Sequence, residues 1–152
     1  MRSRGFTLLE LLVVLGVAAV VLGVVGIQAG SLHERSQYNQ VLRNVMAILK
    51  DGKSTAIQKG QDVSIKVDRA TRTISYDAVG RQVQVPDFVG LKFLEAEEGS
   101  IKNLGIAVLF VFRPDGSAYG GHLSLTHGGA GVKFYLNWAL GSVEQLPIQD
   151  SP

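Results

Sequence analysis

The first sixty residues show two hydrophobic patterns in succession, and a third begins after them. From Phe6 to Ile27 the chain is apolar except for Thr7 and Glu10. These 22 residues make about 33 Å of helix at 1.5 Å per residue, enough to cross a bilayer core. Gly16, Gly23, Gly26 and Gly30 punctuate the stretch, as is common in membrane helices. Beyond it Tyr38, Val41, Leu42, Val45, Met46 and Leu49 recur at offsets 0, 3, 4, 7, 8 and 11, the stripe of an amphipathic helix. Ala56 and Ile57 are expected to extend the stripe, and Gly60 to end it. Gly30 or Ser31 is the expected loosening point between the two halves of one long helix.

From Asp62 the period changes to two. DVSIKVD alternates through Val63, Ile65 and Val67, and a polar turn at Arg69–Arg72 leads into TISYD. QVQV, FVGLKF, IAVLFVF, HLSLT and VKFYLNWAL follow as further strands between glycine-rich turns, and no second helical pattern appears. The patterning predicts an α+β fold, a long N-terminal helix packed on antiparallel sheet of about seven strands. At 152 residues, 46% of them hydrophobic, with 18 glycines and 4 prolines, the chain is neither disordered nor collagen-like. Cysteine is absent, which excludes disulfides, thiolate metal sites and a cysteine nucleophile.

The apolar run is too long for the core of a secretory signal peptide, and no Ala-x-Ala site follows Ile27. Arg2 and Arg4 precede it, so the positive-inside rule puts the N-terminus in the cytoplasm and exports the rest. Within such a run an ionisable group is a functional hypothesis by default, and Glu10 is the one to explain.

A short basic leader, then Gly5, Phe6, Thr7, Leu8, Leu9 and Glu10 against the apolar run, resembles the class III signal of type IV pilins and type II secretion pseudopilins. The resemblance implies a pilin-like fold, and cleavage between Gly5 and Phe6 on the cytoplasmic side by prepilin peptidase. It also implies N-methylation of the new Phe6 terminus. Cleavage creates a cation at Phe6, and a carboxylate near a helix N-terminus is favoured by the macrodipole and pairs with a nearby cation. The implied role of Glu10 is an assembly ion pair with the Phe6 amine of a neighbouring subunit; pairing with its own Phe6 amine stays open. The corresponding division is a leader at 1–5, a transmembrane and assembly helix at 6–29, an amphipathic continuation at 30–60 and a periplasmic β-rich domain at 61–152.

The stretch FRPDGSAYGGHLSLTHGG is similar to the C-terminal hairpin of H-type minor pseudopilins and their FimT- and FimU-type minor-pilin relatives. Pro114-Asp115-Gly116 has the chemistry of a tight turn. One departure bears on function. The family's last strand often ends in Gly-Arg-hydrophobic, whereas here the place reads Gly141-Ser142-Val143. Relatives implicated in DNA uptake have a basic tail; residues 142–152 carry Glu144 and Asp150 and no Lys or Arg. Phosphate contact through this segment is not expected. The chain holds 15 Lys+Arg against 13 Asp+Glu, and loss of Arg2 and Arg4 with the leader leaves 13 against 13. Arg35, Arg43, Lys50, Lys53 and Lys59 fall mostly off the helical stripe and read as a solvated face or subunit contacts, so no nucleic-acid partner is expected.

Catalysis finds no support in the residues. His33, His122 and His127 are the only histidines, and the last two lie five apart on a strand, hence on opposite faces. Ser117 and Ser124 lack a base and an orienting acid, and Asp115 has a turn to make. The Gly-Gly pairs at 120–121 and 128–129 read as turns rather than phosphate cradles. Trp138 and the nearby tyrosines read as core or subunit interface. No cofactor and no metal are expected. The expected function is that of an H-type minor pseudopilin of a type II secretion system near the pseudopilus tip. Its expected partners are the major and other minor pseudopilins and the inner-membrane assembly platform. A type IV minor pilin serving motility, adhesion or DNA uptake is the first alternative, and a monomeric membrane-anchored ligand-binding domain the second.

Overall fold

The computed structural model describes residues 7–76, 80–96, 105–138 and 140–149, the side chains of 22–31 excepted. The chain falls into two compact units, Met1–Ser36 and Gln37–Pro152. Helix α1, Leu8–Lys59, contributes to both and continues through Gly30 and Ser31, so the expected loosening there does not interrupt it. In the first unit, ten large apolar side chains from Leu8 to Val21 are each more than half exposed, on all sides of the helix. Among the described residues no helix is long and apolar enough to cross a membrane. The described side chains of the run end at Val21, and the apolar sequence continues to Ile27.

Among the described residues of the second unit, nine strands form two antiparallel sheets. The first, in order β3-β2-β1-β5-β6, is built from Gln82–Gln84, Thr73–Tyr76, Val63–Asp68, Ile106–Phe112 and Ala118–Gly120. The second, β4-β7-β8-β9, is built from Gly90–Leu94, His122–His127, Ala130–Asn137 and Ser142–Gln149. Two of these elements, β6 and β9, go beyond the expected seven, and β8 stops at Asn137 instead of running through Leu140. The helical stripe places Val41, Val45, Leu49 and Ala56 in one core with Ile65, Ile74, Phe110 and Phe112 of the first sheet and Leu123, Leu125 and Phe134 of the second. Ile57 departs from expectation: it is 49% exposed. Gly60, with φ +65° and its amide on the Ala56 carbonyl, ends the helix as expected.

Strand β5 explains why IAVLFVF is apolar throughout. Phe110 pairs with Ile65 and Val108 with Lys66, which leaves Leu109 as the extra residue of a bulge. Ala107, Leu109, Phe110 and Phe112 face the main core, while Val108 and Val111 pack with Ala96 and Tyr119 on the opposite face. Where β6 hands over to β7, Gly121 donates its amide to the Leu109 carbonyl. A Cβ on Gly120 would lie 2.3 Å from that carbonyl oxygen, and one on Gly121 would lie 2.0 Å from the Leu94 carbonyl oxygen. The glycine pair is thus the only chemistry that lets the chain cross between sheets here.

Segment 85–89 makes another crossing, from β3 to β4, and Arg72 pins it. The Arg72 side chain donates from Nε to the Val85 carbonyl (3.2 Å) and from Nη2 to Pro86 (3.2 Å) and Val89. Its own carbonyl accepts the Val85 amide at 2.9 Å. Arg72 holds φ at +53°, a conformation uncommon outside glycine, and these bonds keep it there. Arg72→Ala is expected to destabilise the domain by about 1–3 kcal/mol, because three half-buried carbonyls lose a charged donor. Arg72→Lys is expected to recover little, since an ammonium cannot reproduce the planar fork. Urea unfolding of the full chain in detergent, followed by far-UV circular dichroism, measures both.

Candidate functional site

The N-terminal end of α1 is the site the sequence singles out. Gly5 and Phe6 lie outside the described residues. Thr7 precedes the first helical residue and acts as the N-cap. Its hydroxyl accepts the Glu10 amide at 3.3 Å, and its carbonyl accepts the amides of Glu10 (3.1 Å) and Leu11 (3.3 Å). Thr7-Leu8-Leu9-Glu10 therefore has the spacing of a capping box, threonine at the N-cap and glutamate three residues on. Glu10 sits in the first turn, where the macrodipole favours its negative charge, and its side chain is exposed. The helix begins at Leu8, the first residue after the Thr7 cap.

The other candidates are dispersed. His33 is exposed in the first unit. His122 lies on the outer face of the second sheet opposite Tyr135, where burial and then the Lys133 charge push its pKa down. His127 lies on the opposite face, its ring 5.6 Å from that of Tyr38 and 5.3 Å from that of Phe88. The five-residue spacing separates the two histidines as expected. Asp115 accepts both the amide (2.9 Å) and the hydroxyl (2.6 Å) of Ser117. These bonds, the hydroxyl first, hold its pKa down and fix the β5–β6 turn. Ser124 is buried on β7. Gly128–Gly129 joins β7 to β8 as a two-residue turn. Among the described residues no group of His, Asp and Glu is arranged to hold a metal ion.

Of the two readings of Trp138, core or subunit interface, the structure removes the first: it is 78% exposed at the β8–β9 turn. The tail that was read only for its lack of positive charge is strand β9, in which Glu144 accepts from Tyr135 Oη and, at 3.2 Å, from Asn137 Nδ2. The Tyr135 hydroxyl, and next the Asn137 amide, keep the Glu144 carboxyl below its usual range.

The geometry at Thr7–Glu10 is matched by a family resemblance in sequence. Residues 1–26 match the prokaryotic N-terminal methylation motif. That stretch contains Gly5, Phe6 and Glu10 together with nearly all of the apolar run. No curated protein sequence matches the chain. Among solved structures, the chain is similar to the minor pseudopilin EpsH from the Type 2 Secretion System of Vibrio cholerae. The two are 16% identical with a TM-score of 0.46, over 76% of this chain and 94% of that one.

Proposed function

We propose that the chain is a minor pseudopilin of a type II secretion system, of the H type. The observation that carries the reading is the methylation motif over residues 1–26, placed at the front of a helix that continues into a β-rich domain. In this reading prepilin peptidase cuts between Gly5 and Phe6 and Phe6 is methylated. Residues 6–29 then anchor the protein in the inner membrane, with the C-terminal domain in the periplasm. Helix α1 assembles with the major and other minor pseudopilins, on the inner-membrane platform, into a short pseudopilus near its tip. Work is supplied by a separate ATPase, since this chain has no phosphate-binding loop. The absence of Lys and Arg from residues 142–152 favours secretion over DNA uptake.

Mass spectrometry of the protein purified from membranes tests the maturation step. The expected species begins at N-methylated Phe6. A species that retains Met1, or is cut elsewhere, removes the filament reading and leaves the membrane-anchored ligand-binding domain. Deletion of the gene then separates the two filament systems: loss of exoprotein release supports the pseudopilus, whereas loss of twitching with normal release supports a type IV minor pilin.

A further inference from the structure

Strand β9 ends the second sheet, and its outer edge has no neighbouring strand among the described residues. It pairs with β8 over its whole length, from Asn137–Ser142 to Ala130–Gln149. Natural edge strands are commonly shielded by lysines, bulges or shortness. β9 is eight residues long, in continuous register, and carries no Lys or Arg. Its one protective residue is Pro147, which also shows which groups face outward. Pro147 stands opposite Val132 of β8 and has no amide to give to it. The nitrogen of Pro147 therefore faces away from β8, where no donor is needed. By the alternation of an antiparallel ladder, the backbone groups of Val143 and Gln145 face the same open side.

This open edge starts at an apolar groove. Between α1 and the beginning of β9 lies a space of about 180 Å³ lined by Met46, Leu49, Phe112 and Val143, with Lys50 and Lys53 on the helix side. Beyond Val143, the side chains of Gln145 and Pro147 are exposed, so the layer covered by the helix stops there. Trp138 and Leu140, 78% and 66% exposed, precede the groove-lining Gly141 and Ser142 in the β8–β9 turn. Leu140 is held in place: Lys53 Nζ donates to its carbonyl at 2.8 Å, and Asn137 Oδ1 accepts its amide at 3.4 Å. Gly141, with φ +55°, lies so close to the β5–β6 turn that a Cβ would come within 1.9 Å of the Gly116 carbonyl oxygen. An exposed tryptophan in the turn that leads to an apolar groove has the chemistry of an interface anchor.

We propose that the β9 edge and this groove together form a docking site for an extended, acidic segment of a partner protein. The segment adds as a further strand along Val143 and Gln145, places an apolar side chain in the groove against Trp138 and sets carboxylates opposite Lys50 and Lys53. Main-chain pairing gives such a site its affinity and the alternate side chains its selectivity. The basic rim, on an edge that itself carries only the already bonded Glu144, selects an acidic occupant.

The test is direct because Trp138 is the one tryptophan of the chain, so its emission reports the β8–β9 turn next to the groove. Full-length protein in dodecylmaltoside micelles is titrated with an end-blocked heptapeptide of alternating valine and glutamate, and in parallel with its valine–lysine counterpart. The glutamate peptide is expected to shift Trp138 emission to the blue and to slow amide exchange at Val143 and Gln145 about tenfold, a 1.4 kcal/mol effect. The lysine peptide is expected to do neither. Gln145→Pro removes an outward donor and should abolish the slowing with an unchanged circular dichroism spectrum. Lys50→Glu, on the exposed helix face, should weaken the glutamate peptide without touching the sheet. Unchanged exchange at Val143 and Gln145, equal action of the two peptides, or a blue shift without slowed exchange would each overturn the proposal. So would a blue shift that grows with protein concentration in the absence of peptide, which would assign the surface to a second copy of this chain.

Discussion

Glu10→Ala is expected to leave cleavage between Gly5 and Phe6 largely intact and to abolish incorporation into filaments. In the function proposed above, cleavage acts on the Gly5–Phe6 bond ahead of the apolar run, and neither changes. Assembly is different. In lipid a terminal ammonium and a carboxylate that lose each other each remain desolvated, and breaking such a pair by removing one partner costs about 3–5 kcal/mol. Repeated at each subunit contact, that is about a hundredfold to several thousandfold in the association constant per step. The capping geometry supplies a control. Loss of the Thr7 hydroxyl in Thr7→Val should cost only about 1 kcal/mol of helix-start stability, so that filaments form at reduced yield. Immunoblots for the mature form, alongside sheared filament fractions, read both quantities. Normal incorporation of Glu10→Ala would remove the pairing role, and equal failure of Thr7→Val would assign the effect to the helix start.

The second large effect is expected in the core. Leu49 is fully buried between helix and sheets, and Leu49→Ala should lower stability by about 2–5 kcal/mol, a large share of the total for a domain of this size. Ile57→Ala, the same kind of truncation two turns later, should cost no more than about 1 kcal/mol, because Ile57 is half exposed. Urea midpoints of the two variants in the same detergent make the comparison. Similar losses would mean that the last turns of α1 pack as tightly as the middle.

That pair also shows what could be read before the structure and what could not. The stripe from Tyr38 to Leu49 was legible because burial against a fixed surface repeats every 3.6 residues. Ile57 misled because apolar character alone placed it: it sits 100° around the helix from buried Ala56, off the face that meets the sheets. Strand β1, with one buried face, announced itself by alternation, and β7 by its alternating residue types although both of its faces are covered. Strand β9 did not, since its residues are largely exposed and what makes it a strand is backbone pairing with β8. The role of Arg72 was equally hidden: a guanidinium that bonds carbonyls 13 to 17 residues away leaves no periodic trace. At the N-terminus the motif was legible from its residue types, and the structure added the cap at Thr7.

The pairing of β1 with β5 has a consequence for how the protein reaches this state. Val63 must find Phe112, 49 residues later, before the central part of the first sheet exists. Until then the stripe of Val41, Val45 and Leu49 has neither Phe110 and Phe112 nor the still later Phe134 to cover it. A chain delivered N-terminus first therefore displays its most apolar helical face through most of its synthesis. Such long-range closure is slow and open to misassociation. Any factor that guards this protein before it has folded should act on α1, and its work should end when β5 arrives.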